Sequence, residues 1–210
     1  MDFAFLNASI ISSTYPPEDP WLRGSGVSYY YFGYLMLGLL TKLTGLSSGI
    51  AYNLALSLIA AMTSACVFGL VAGLIRRGGG AVGTSISFGV FSVLLIGIVG
   101  NLEGALELAR AAGAGSQGFW QELGIKGLDG PAISTSWYPQ DTWWWWRATR
   151  VIDTVVGGQS LDYTIHEFPF FSLLLGDLHP HLMAIPFMLL TLGCALELVS
   201  DNTSLSSSWL

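Results

Sequence analysis

Apolar residues fall along this chain in long blocks rather than in short alternating patterns. A membrane-spanning helix needs about 20 predominantly apolar residues, and four stretches approach that length. The first lies between Arg23 and Lys42. The second carries no charge from Leu43 to Ile75. The third runs from Gly78 to Leu102 around "FGVFSVLLIGIVG", and the fourth continues from Leu182 through "MAIPFMLLTLGCALELV". The last three predict membrane helices over 49–75, 80–100 and 181–200. The first is shorter, opens on "YYYFG", whose aromatic rings suit a headgroup region, and is interrupted by Lys42. It predicts an interfacial or short membrane helix over 29–45.

Polar stretches fill the gaps. Arg76 and Arg77 head the turn "RRGGG" between the second and third blocks. The positive-inside tendency puts that turn in the cytoplasm. Residues 1–28 then read as an outer-face loop with acidic residues, and 101–180 as a long outer-face loop with short helices and a Trp run. Within it, "LEGALELARAAG" has helical periodicity, with acids early and Arg110 late to match the helix dipole. "GSQGFWQELGIKGLDGPAISTSWYPQ" reads as irregular chain. The expected fold is therefore all-α: a polytopic transmembrane bundle with interfacial helices, in one membrane domain.

Composition agrees. Hydrophobic residues make up 52% of the 210 and charged residues 10%, against about 25% charged in a soluble domain. Mean hydropathy is +0.57. The net charge of −6 is spread without a basic patch, so nucleic acid is not an expected partner; the lipid bilayer is. Cys66 and Cys194 lie in apolar runs, as small core residues do.

Candidate chemistry gathers near the fourth block. In "IHEFPFFSLLLGDLHPHLMAIPF" stand all three histidines, His166, His179 and His181, with Glu167 and Asp177. Phe168 to Leu175 is too short to span, so it is re-entrant or interfacial. Pro180 disfavours helical geometry at His179 and is itself favoured as the first residue of a helix. The fourth helix should start there, its free N–H groups making an anion site beside the histidines. In an extended chain Asp177, His179 and His181 would share a face and could ligate a divalent metal; polar residues capping a helix end is the plainer alternative. Upstream, "DTWWWWRATR" puts four tryptophans ahead of Arg147 and Arg150. The run reads as an aromatic belt or as a stacking platform for a sugar ring or lipid head. The two guanidiniums, three apart on one helical face, suit a phosphate.

"MDFAFLNASI", "YYYFGYLMLGLLTKLTG", "AYNLALSLIAA", "GNLEG" and "EFPFFSLLLGDLHPHLMAIPF" together resemble the "YYY" family of uncharacterised polytopic membrane proteins. That family is similar to the GT-C superfamily of membrane glycosyltransferases. The resemblance implies a GT-C-like bundle and sugar transfer from a polyprenyl-phosphate-linked donor to an outer-face acceptor, at the plasma (cytoplasmic) membrane. It places Asp2 in the loop that carries the catalytic acid, with Glu18 and Asp19 further along. It also implies a helix ahead of "MDF" and a continuation past "SLSSSWL", so the chain reads as a piece of a longer protein. On this reading Asp2 is the base, Glu167 and Asp177 are further candidate acids, and Arg147, Arg150, His179 and His181 bind the donor phosphate. Glu18, Asp19, Tyr30 and Trp143 are candidate substrate contacts. No cofactor is required, though a divalent metal fits the acid and histidine cluster. The competing classes are a transporter or lipid-binding protein and a structural subunit of a membrane assembly.

Overall fold

The structure is a computed structural model of the chain. It describes residues 1–100, 102–125, 127–130, 136–141, 144–157 and 159–207. Most of these are helical, and they form two compact units, Met1–Ile98 with Ser172–Leu210, and Val99–Phe171.

The first unit is built on three helices long and apolar enough to cross a membrane. Helix α3 (Ser48–Arg77) has 30 residues, about 45 Å at 1.5 Å per residue, and no charge before Arg76. The turn after it closes when Arg76 donates to the Gly80 carbonyl at 2.8 Å. Gly79 sits there at φ +81°, backbone that favours glycine. Helix α4 (Val82–Leu94) runs into a π-helical turn, Leu95–Val99, and packs back on α3. At the contact, a Cβ on Gly89 would stand 2.6 Å from the Phe68 ring, so the small residue lets the backbones approach. Helix α9 (Pro180–Ser207) begins at Pro180 and contains Pro186. It runs parallel to α3: the Tyr52 hydroxyl bonds Gly176 and Leu178 at one end, and Arg77 pairs with Glu197 and Ser200 at the other. Leu54, Phe88, Phe91, Met188 and Leu190 stay exposed on these helices, as lipid-facing side chains do.

Two shorter helices cover the Tyr52 end. Residues 1–28 are not all loop: Asp2–Ile11 form α1. "DFAFLNASII" buries Phe5, Leu6 and Ser9, a spacing of three to four residues that makes one helical face; because it is far too short to span, a search for membrane helices passes over it. Helix α2 (Phe32–Thr44) has 13 residues, about 20 Å against a hydrocarbon core of about 30 Å. Its N-terminal turn approaches α9, where a Cβ on Gly33 would overlap Met183. Phe5, Leu6, Tyr34, Leu37, Ala55, Ile59, Leu178 and Leu182 form the core of this end.

The second unit holds helices α5 (Glu103–Ala111), α6 (Gln117–Leu123) and α7 (Trp144–Arg147). The Ser116 hydroxyl caps α6 by accepting from the Phe119 N–H. Buried Trp120, Ile125 and Leu128 form its core, and the Trp120 indole donates to the Ala114 carbonyl at 3.0 Å. Strands β1 (Asp153–Val156) and β2 (Gln159–Tyr163) make an antiparallel hairpin with a bulge at Thr154/Val155, a feature absent from the purely helical expectation. Strands of four and five residues give too short a pattern to compete with the aromatic run before them. Helix α8 (Pro169–Leu175) follows.

Candidate functional site

The first unit brings Asp2 and Asp177, 175 positions apart in the chain, into hydrogen-bonding contact. Asp2 occupies the first turn of α1, where the helix dipole favours a carboxylate. It is only 6% exposed. The fully buried Tyr34 of α2 donates its hydroxyl to Asp2 Oδ1. Asp177 arrives on the loop between α8 and α9, which turns at Gly176 with φ +66°. That loop is pinned twice. Tyr52 donates to the Gly176 carbonyl at 3.2 Å while its oxygen accepts the Leu178 N–H at 3.1 Å, and the Asp177 N–H donates to the Ser172 carbonyl at 2.8 Å.

Burial disfavours a charge on Asp2, but the bonds from Asp177 and Tyr34 outweigh it and hold the Asp2 carboxyl below the usual carboxylate range. Two carboxyls in contact do not both ionise easily, so the pair shares a proton. Both line a cavity of about 480 Å³ with Tyr52 and Asn53.

Two residues beyond Asp177 a second polar group begins. Tyr29 Oη lies 2.9 Å from His179 Nε2, His179 Nδ1 lies 2.6 Å from His181 Nδ1, and His181 Nε2 lies 3.3 Å from Ser172 Oγ. Pro180 starts α9 between the histidines, and the His179 carbonyl accepts the Met183 N–H. Asp177, His179 and His181 therefore do not lie along an extended strand: the expected three-residue ligand face is replaced by an Asp177–Asp2 pair and a separate His179–His181 pair. The histidines line a cavity of about 790 Å³ whose other walls include Tyr30, Phe32, Met36 and Phe187.

The remaining candidates, Tyr30 apart, lie elsewhere. Glu18 and Asp19 are in the loop after α1, where Asp19 accepts the Trp21 and Leu22 N–H groups and stabilises a turn. Tyr30 is 75% exposed. Trp143 lies outside the described residues. Glu167 belongs to the second unit, half-buried between β2 and α8.

Arg147 and Arg150 also belong to the second unit, and they do not form a shared phosphate clamp. Helix α7 ends at Arg147, so the common helical face is lost. Arg147 Nε and Nη2 grip the Glu107 carboxylate at 2.5 and 2.9 Å, and Nη1 meets Asp141 at 2.6 Å. Arg150 lies over the Trp146 ring, 4.4 Å from its centre. Arg147 is thus the centre of an ion-pair network in this unit. Glu107, gripped by Arg147, sits one helical turn from buried Glu103. Burial, then hydrogen bonding to Glu107 and its charge, push Glu103 up to about 8.

Sequence reasoning missed Tyr29, Tyr34, Tyr52 and Ser172. Tyr29 and Tyr34 open and close the "YYYFGY" run, which reads as interfacial decoration until a helix places Tyr34 against α1.

No curated protein and no solved structure matches this chain. A family model described as an uncharacterized membrane protein, DUF2298, matches residues 1–210. With three membrane-length helices and a match over its whole length, the chain belongs to the DUF2298 family of membrane proteins.

Proposed function

We propose that this chain is a membrane glycosyltransferase of the GT-C kind, or the sugar-transferring part of one, in the plasma (cytoplasmic) membrane. It moves a sugar from a polyprenyl-phosphate-linked donor to an acceptor at the outer face. The observation that carries the reading is the Asp2–Asp177 pair, set two residues before a histidine pair that opens on a mostly apolar cavity. An apolar cavity at a membrane surface suits an isoprenoid chain, and histidines at a helix N-terminus suit its phosphate. An ionised carboxylate nearby suits the acceptor hydroxyl.

The step balances as an inverting displacement. The acceptor oxygen attacks the anomeric carbon, its proton passes to the Asp2 carboxylate, and the carbon–oxygen bond to the phosphate breaks with its electron pair on the leaving phosphate. His179, His181 and the first N–H groups of α9 stabilise that charge. Tyr34 and Asp177 position Asp2. Arg147, gripped by Glu107 and Asp141, has no part in this account.

Proteoliposomes of the wild-type chain given polyprenyl-phosphate sugars provide the test. Asp2→Asn should insert normally and lose transfer by about 10²–10⁴-fold, the usual loss with a general base. Unchanged transfer by that variant would remove Asp2 from the chemistry. A wild type that binds polyprenyl phosphate but transfers nothing would favour the second reading, a transporter or lipid-binding protein, which keeps the apolar cavity and drops the reaction.

A further inference from the structure

The two imidazoles of His179 and His181 face each other through their Nδ1 atoms, and each turns its other nitrogen toward an oxygen. Tyr29 Oη stands 2.9 Å from one Nε2 and Ser172 Oγ 3.3 Å from the other. Both oxygens can accept an N–H. Where they do, both rings carry their proton on Nε2 and direct Nδ1 lone pairs at one another across 2.6 Å. Such an arrangement is repulsive unless a cation lies between. The separation is also at the short end for an N–H donor bond between neutral groups. This is the layout of histidine metal ligands, whose outer nitrogen is held by an oxygen partner that fixes tautomer and ring orientation.

We propose that His179 and His181 form a two-imidazole site for a divalent d-block ion such as Zn²⁺, bound through both Nδ1 atoms. Metal–nitrogen bonds of about 2.0–2.1 Å at a tetrahedral angle put the two Nδ1 atoms roughly 3.3 Å apart, so small ring rotations open the pair to receive the ion. Two protein ligands leave two positions for water or an anionic oxygen. Such open positions mark an ion that meets a substrate rather than one that only holds the fold. The histidines line the 790 Å³ cavity, so an amphiphile with a phosphate or carboxylate head would meet the metal with its head while its chain lies along Tyr30, Phe32 and Phe187. The pairing of donor types is right for the metal: neutral imidazole prefers zinc, cobalt, nickel or copper over magnesium or calcium. Asp177, two residues earlier, is bonded to Asp2. The proposal goes beyond sugar transfer and stands on the geometry of the two rings alone.

The test uses the full chain in detergent or nanodiscs, stripped with a chelator and titrated with Co²⁺ alone. One equivalent should bind with the visible absorption of four-coordinate cobalt, and Zn²⁺ should displace it. X-ray absorption on the Zn²⁺-loaded protein should show two imidazole ligands with the rest oxygen. His179→Ala and His181→Ala should each weaken binding at least tenfold, and Tyr29→Phe, which removes an outer partner, should weaken it less while leaving two imidazoles on the metal. Absorption spectra with oxygen ligands only would overturn the site without recourse to any variant. So would a wild type that binds no Co²⁺, or binding that survives the double substitution. In those cases the pair holds a proton between its rings. Because the readout is metal binding, it is independent of whether any sugar is transferred.

Discussion

Asp2 and Glu103 face one physical problem in two settings, a carboxyl taken out of water beside a second carboxyl. The two settings move the carboxyls in opposite directions, Asp2 below the ordinary carboxylate range and Glu103 above it. Asp2 is held below the ordinary carboxylate range, despite its burial, by hydrogen bonds with Asp177 and from the Tyr34 hydroxyl. Removing Tyr34's hydroxyl leaves a buried acceptor short of a donor, so Tyr34→Phe should lower stability by about 1–3 kcal/mol, read as a drop in melting temperature in detergent. An unchanged melting temperature would mean that the Tyr34 bond adds nothing to stability. Glu103 is the protonated member, since Glu107 is claimed by Arg147. The sign of its pH dependence follows. Its folded value is raised from 4.5 to about 8, so the folded state binds the proton more tightly than the unfolded chain does. The resulting stability is fully present below pH 4.5 and is lost as pH rises through about 8. Hydrogen exchange of the amides around buried Trp120 should therefore quicken between pH 5 and 8 more than intrinsic chemistry requires. Glu103→Gln should remove that excess, and an excess that persists in the variant would assign it to another group.

The helices show which part of the architecture lay open in the sequence. An apolar run of membrane length needs no tertiary information, so α3, α4 and the start of α9 at Pro180 are legible from residue type alone. The α3–α4 contact is not, because Gly89 says nothing about which ring it meets until both helices are placed. A Cβ there would come within 2.6 Å of Phe68, and helix pairs in lipid rely on such close approach. Gly89→Leu should separate α3 from α4, lowering the melting temperature and exposing the hairpin to protease in detergent. Gly69→Leu, at a position with open space around it, should do neither; equal behaviour of the two variants would mean that Gly89 is not a packing contact. The site divides the same way. Asp177, His179 and His181 could be named from motif and position, and Asp2 only through the family resemblance. Their partners could not, because the Asp2–Asp177 bond closes a loop of 175 residues and Tyr29, Tyr34 and Tyr52 acquire roles only in contact. Arg147 shows the converse error. Its spacing to Arg150 suggested a phosphate clamp, but Glu107, 40 residues upstream, takes the guanidinium, and no local pattern announces a partner that distant.

The first unit as a whole has two ends of different chemistry, and that polarity predicts how it sits in a bilayer. Tyr52 and Arg77 lie 25 residues apart on the single helix α3, about 37 Å at 1.5 Å per residue, slightly more than the hydrocarbon thickness of about 30 Å. The Asp2–Asp177 pair and the histidines gather at the Tyr52 end, while Arg76, Arg77 and Glu197 gather at the other. Short loops rich in Arg tend to stay in the cytoplasm, which predicts that the carboxyl pair faces outward. Helix α4 leaves the Arg end, and α9 runs back toward it. Single cysteines introduced after replacing Cys66 and Cys194 by Ala report on this directly. Ser28→Cys and Gln117→Cys should react with an impermeant maleimide on intact cells, and Gly78→Cys only after permeabilisation. Gly78 has φ −73°, so a side chain there adds no backbone strain. Labelling of Ser28→Cys and Gln117→Cys from opposite faces would separate the two long polar segments. Outside labelling of Gly78→Cys would invert the protein and put the Asp2 site in the cytoplasm, where an outer-face acceptor cannot reach it.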